Sequence, residues 1–230
     1  MTANPAQSDS RPNQPTPPTP PSVLSPRSEF WNSVTHAFGF VLSLIAVGVL
    51  VSKAQSRPTL TFWTVVVFGV CMICVYLFST LSHFVTEPKL RTWFRQLDQA
   101  SIYLLITACY TPFSAAHQDG IWWWGVLVLM WTISIVGFLS KLVFAHQVEG
   151  VSIWIYQVLG WIPFISGMPF AGIMPVGCIW AIILGGVFYS AGTVFLILDY
   201  KAWYFHPIWH LFVIAGSTVH TIGIYRFVCQ

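Results

Sequence analysis

His206-Pro207-Ile208-Trp209-His210 sets two imidazoles four residues apart, the spacing that puts both on one helix face and lets both reach a single metal ion. Pro207 does not forbid that helix, because in a first turn its missing N–H would have had no intrahelical partner. Two such histidines among aromatics could equally anchor a helix at a membrane surface, so metal binding asks for a third ligand. Ser79-Thr80-Leu81-Ser82-His83 supplies one, with Ser79 a helical turn before His83 and on the same face. Three neutral imidazoles leave the fourth tetrahedral position open to water, the arrangement of catalytic rather than structural zinc. Asp98 is the carboxylate that could hold that water or take its proton. Taken singly, Asp98 reads as readily as an ion-pair partner of Arg91 or Arg95, and His83 as an interfacial imidazole.

The elements that must position these residues follow from composition. Of 230 residues, 56% are apolar, 17% aromatic and only 7% charged. Soluble domains run at about 25% charged residues, so the solvent expected for this chain is lipid. Its ten Lys and Arg are scattered without a basic stripe, which excludes a nucleic-acid partner. Five cysteines, four of them inside apolar runs, give no disulfide framework, and Cys71-x-x-Cys74 reads as helix packing rather than redox chemistry.

Residues 1–28 hold eight of the fifteen prolines among Ser, Thr, Asn and Gln and are expected to form a disordered tail. The tail has no apolar leader-like run, so the first span is expected to direct insertion. Apolar stretches of membrane length then recur at 33–52, 60–84, 97–116, 121–144, 151–170, 176–198 and 206–228. The expected fold is all-α, a seven-transmembrane helical bundle over 29–230, with charged or Gly/Pro-marked breaks such as 53–58, 87–95 and 199–205. Pro163, Pro169 and Pro175 bear on the boundaries of the fifth and sixth spans. Seven Lys and Arg (Arg11, Arg27, Lys89, Arg91, Arg95, Lys141, Lys201) fall on the N-terminal side against three (Lys53, Arg57, Arg226) on the other, which puts the N-terminus in the cytoplasm.

That topology makes its own prediction, because odd spans start and even spans end on the cytoplasmic side. His36, His83, Asp98, His206 and His210 then share one membrane layer, with His220 a few turns deeper. Polar residues are expensive in lipid, and their coincidence at one level favours a metal site over separate interfacial roles. Glu29, Asn32, Thr35 and His36 have the look of a helix start, with Asn32 or Ser33 as N-cap and Glu29 at the positive end of the dipole. His36 lies inside the span, so a place behind the ligands or facing a substrate is open to it. Small residues Ala181, Gly185, Gly186 and Ser190 in the sixth span read as helix packing. Trp122-Trp123-Trp124, Trp203, Tyr204 and Trp209 read as interfacial anchors, and His117 and His146 as loop residues.

Several ordered motifs together resemble the hemolysin III family, the bacterial branch of the progestin and adipoQ (adiponectin receptor-like) receptors. They are Glu29-x-x-Asn32-x-x-Thr35-His36, Ser79-x-x-x-His83, Leu97-Asp98-Gln99-Ala100-Ser101-Ile102-Tyr103, Tyr110-Thr111-Pro112-Phe113 and Phe205-His206-x-x-Trp209-His210. Gln99, Ser82 and Ala108 depart from the usual pattern without removing a ligand. The resemblance implies a Zn²⁺ ion held by His83, His206 and His210, with Asp98 contacting it through water and Ser79 behind. Glu29, Asn32, His36 and Tyr103 are further candidates for substrate contact or ligand support. It also implies a bacterial plasma membrane.

Two function classes follow. One is a membrane-embedded zinc hydrolase of a lipid amide, ceramide-like, or of an ester, with membrane lipids as its partners. The other is a non-enzymatic sensor or receptor with structural zinc. A cytolytic pore is the weakest form of the second, because no polar stripe or charged ring suits conduction. No protein partner is implied, and either class is compatible with a homo-oligomer.

Overall fold

The computed structural model describes residues 25–117, 120–144, 149–167 and 174–230. Among them it is helical throughout, with seven α-helices: α1 (Pro26–Ala54), α2 (Thr59–Phe84), α3 (Pro88–His117), α4 (Ile121–Val143), α5 (Glu149–Ile165), α6 (Val176–Ile197) and α7 (Phe205–Phe227). A 3₁₀ turn at Asp199–Lys201 precedes α7. Five of these helices, α1, α2, α4, α6 and α7, are long and apolar enough to cross a membrane. α3 is interrupted by polar residues along its length, and the described apolar part of α5 spans only Ile153–Ile165.

Two boundaries differ from the expected ones. α1 starts at Pro26, because Ser25 is its N-cap and accepts from the Ser28 N–H at 3.2 Å. Asn32 and Ser33 are therefore interior residues, while Glu29 does occupy the first turn. The expected tail, 1–28, lies outside the described residues up to 24, and 26–28 is already helix. α3 starts at Pro88, so most of the expected break at 87–95 is helical. The Glu87 carboxylate caps it, accepting from the N–H groups of Lys89 at 3.1 Å and Leu90 at 2.6 Å. Pro163 is accommodated within α5, and the chain turns after it at Gly167, whose φ of +76° favours glycine. Pro169 and His146 lie outside the described residues.

The bundle is apolar on its outside as well as in its core. The buried face of α1 is Ser28, Asn32, His36, Gly39 and Ser43, followed by Leu50 and Ala54 at its end, whereas Phe30, Phe38, Val41 and Ile45 are exposed. Such a helix suits a solvent that is itself apolar, where small and polar residues mediate contact between helices. α3 touches α2, α4, α5, α6 and α7 and so runs through the middle, while α1 packs between α2 and α7. α5 packs sparsely on its neighbours among the described residues. Gly39 shows why a small residue is needed: a Cβ there would sit 2.7 Å from the Tyr76 ring.

Replacing Gly39 by Val is expected to destabilise the fold by about 1–3 kcal/mol through overpacking against Tyr76. Thermal unfolding in detergent checks this, and an unchanged midpoint would show that the α1–α2 contact is not close.

Candidate metal centre

α2 delivers His83 in its last turn, and α7 delivers His206 and His210 at its start. One ligand atom from each imidazole lies within 4.8 Å of the others, and the ring centroids are 4.7–5.5 Å apart. These three histidines could hold one metal ion. An all-imidazole donor set suits Zn, Cu, Fe or Ni rather than the oxygen-seeking Mg or Ca.

Each ring is held from behind. His83 Nδ1 lies 2.7 Å from Glu29 Oε2, His206 Nδ1 lies 3.1 Å from Asp199 Oδ2, and His210 Nδ1 lies 2.9 Å from Thr35 Oγ1. The two carboxylates can only accept, which fixes the proton on Nδ1 of His83 and His206. Thr35 gives its own hydroxyl hydrogen to backbone carbonyls of α1, Trp31 at 2.8 Å or Asn32 at 3.0 Å, so its oxygen also accepts from His210. All three contacts leave Nε2 as the metal-facing nitrogen, and buttressing of this kind orients ligands and raises their basicity.

Glu29 serves as a hub. Its second oxygen pairs with Arg91, and Arg95 lies 3.7 Å from it, so α1, α2 and α3 meet on one carboxylate. The arginines thus turn to Glu29, and the alternative of an Asp98 ion pair with Arg91 or Arg95 does not describe this arrangement. Asp199, part of an expected loop break, had no assigned role in sequence terms. Its signal is position, seven residues before His206, where one 3₁₀ turn brings the carboxylate back to the ring. Thr35 sits next to His36 in a motif, but only helix rotation says that it faces His210.

A cavity of about 260 Å³ opens beside the triad, lined by Ser79, Asp98, His36, His206 and His210 at this end. Asp98 is half-buried on its wall, hydrogen-bonded by Ser79 and by Ser82, the latter at 3.4 Å. His36 stacks on His210 with centroids 3.5 Å apart and meets Tyr76 edge-on. Asn32 is fully buried on the same face of α1. Tyr103 stands apart from the centre, buried against Tyr156 at 4.5 Å and against Gly137. Trp209 is buried and lines the cavity, so it is no interfacial anchor. Trp203 does lie near the surface, with Arg27 stacked over it at 4.2 Å. His117 ends α3 and bonds the Phe227 carbonyl at 2.8 Å.

Asp199→Ala is expected to lower metal affinity about 10–100-fold while the helices remain folded, because His206 loses its orienting acceptor. Competition against a chelator measures it; unchanged affinity would mean that the contact does not hold the ring.

Known proteins resemble this chain over most of its length. The chain is 34% identical over 194 residues to "Hemolysin-3" of Bacillus cereus, covering 84% of this chain and 88% of the relative. It is 34% identical to the "Hemolysin-3 homolog" of Bacillus subtilis (strain 168), covering 83% and 90%. The human "Monocyte to macrophage differentiation factor" is 26% identical over 205 residues, covering 85% and 82%. No solved structure matches. The pattern of the haemolysin-III related family matches residues 24–221, which takes in Glu29, His83, Asp98, His206 and His210, and the chain belongs to that family.

Proposed function

We propose that this protein is a zinc-dependent hydrolase of the membrane, cleaving an amide, or an ester, in a lipid of the ceramide type. Seven spans with a cytoplasmic N-terminus in a bacterial plasma membrane complete the reading. The observation that carries it is the convergence of three buttressed imidazoles with a carboxylate on the wall of one cavity. Bound by His83, His206 and His210, zinc supplies Lewis acidity toward a carbonyl oxygen and lowers the pKa of a water toward about 7.

The remaining chemistry belongs to the chain. Asp98 takes the proton as water adds to the carbonyl carbon and returns it to the departing amine nitrogen or alcohol oxygen. Ser79 and Ser82 hold the Asp98 carboxylate toward the cavity. Apolar lining residues such as Val75, Ile102, Leu105, Ile106 and Val213 take the acyl chain and keep bulk water out. The polar headgroup stays at the end of the bundle where α3 and α7 begin and α2 ends. Three protein ligands rather than four favour turnover over a purely structural ion.

Asp98→Asn is expected to keep the metal and lose at least about 10²-fold in turnover of ceramide-like substrates. Metal content and fatty-acid release, measured on the same preparation, separate the two effects. A zinc-loaded wild type inert toward lipid amides and esters would instead favour a sensor with structural zinc.

A further inference from the structure

The cavity runs from the metal centre into the bundle, and the helices that wall it give its depth. α3 lines it from Asp98 to Tyr110, and α6 lines it from Leu196 back to Gly186. At about 1.5 Å per residue these walls run roughly 15–18 Å. Tyr110, Gly160, Trp161 and Gly186 stand at the end away from the three histidines. There the Tyr110 hydroxyl donates to the Gly160 carbonyl and joins α3 to α5.

Many glycines of the bundle are glycine because a neighbouring helix leaves no room for anything else. A Cβ on Gly192 would come within 2.7 Å of the Phe212 side chain, on Gly69 within 2.8 Å of Val47, and on Gly216 within 2.9 Å of the Tyr189 ring. Gly185 is of the same kind, pressed against His220. Its neighbour Gly186 is not. A Cβ there would meet nothing closer than the Trp161 ring at 4.0 Å, yet the residue is half-buried and lies on the cavity wall. Gly48 has room too, but as an exposed residue of α1 away from the cavity. Helix packing therefore does not demand glycine at 186, and inside a helix glycine is a less stable choice than alanine. What the missing side chain preserves is the space beside Trp161.

We propose that Gly186 sets the length of acyl chain that the cavity accepts, because the last carbons of the chain occupy the space its side chain would fill. An extended chain advances about 1.2 Å per bond, so a depth of about 15 Å takes on the order of twelve carbons. Such a limit presupposes that the cavity takes a lipid chain, the reading proposed above, and does not require turnover.

The test uses the full-length, metal-loaded protein in detergent, with saturated fatty acids of stepped length competing against a fluorescent fatty acid. Wild-type affinity is expected to rise severalfold with each added pair of carbons and to level off at about twelve. Gly186→Leu is expected to level off at a chain shorter by roughly two carbons or more, so that the longer chains lose about tenfold in affinity while the shortest bind as to wild type. Gly48→Leu adds the same bulk on the outside of the bundle and is expected to leave the profile unchanged. Should Gly186→Leu fail to fold, Gly186→Ala carries the same test with a smaller shift, since its methyl fits. An unchanged profile in the Gly186 variants, or an equal loss for chains of every length, would overturn the assignment while leaving the cavity a lipid site. Failure of every chain to bind wild type would overturn the lipid reading and this inference with it.

Discussion

An imidazole gives a metal ion one nitrogen, and inside a protein the other must be satisfied by something that also fixes the ring. In this bundle that requirement spreads from three rings into most of the surrounding helices. His83 leans on Glu29, which in turn is held by Arg91 and Arg95 of α3. His206 leans on Asp199, at the cost of a tight turn before α7. His210 leans on Thr35, a hydroxyl committed to its own backbone so that only its acceptor side remains. α1 therefore contributes no ligand and yet supports two of the three, through Glu29 and Thr35.

The apolar exterior imposes the complementary constraint. A helix that meets lipid on one side and partners on the other sorts its residues oppositely to a soluble helix, and α1 does so from Phe30 to Ile45. Burying polar groups is costly unless they meet each other, and Asn32 and His36 on α1 have no hydrogen-bond partner among the described residues. The Gln157–Ser190–Thr193 ladder meets itself, and the Glu29 hub meets arginines and a histidine. His36, packed flat on His210, and His220, stacked on Tyr189, sit at the two ends of a common cavity. Fold and site thus share one cause, polar chemistry that has no aqueous face to turn to.

Much of this was legible in the sequence. Seven apolar stretches correspond to seven helices, and alternation of direction alone brought His36, His83, Asp98, His206 and His210 to one layer. What was hidden depended on helix rotation and on polar segments. A charged stretch between spans reads as a break, so the early start of α3 at Pro88 was invisible without its Glu87 cap. Pairing of Arg91 with Glu29 rather than Asp98 is decided by which way α3 faces, as is burial of Trp209 on the cavity side of α7. Asp199 looked like an ordinary loop charge because nothing in its spacing signals that one 3₁₀ turn will carry it back to His206.

The most direct measurement is metal content by mass spectrometry on detergent-purified protein, for wild type and for His83→Ala, His206→Ala and His210→Ala. The account requires close to one zinc per wild-type chain and its loss from each variant with the helices intact. A folded wild type that carries no metal, or variants that retain it fully, would contradict the claim that these three imidazoles form one centre.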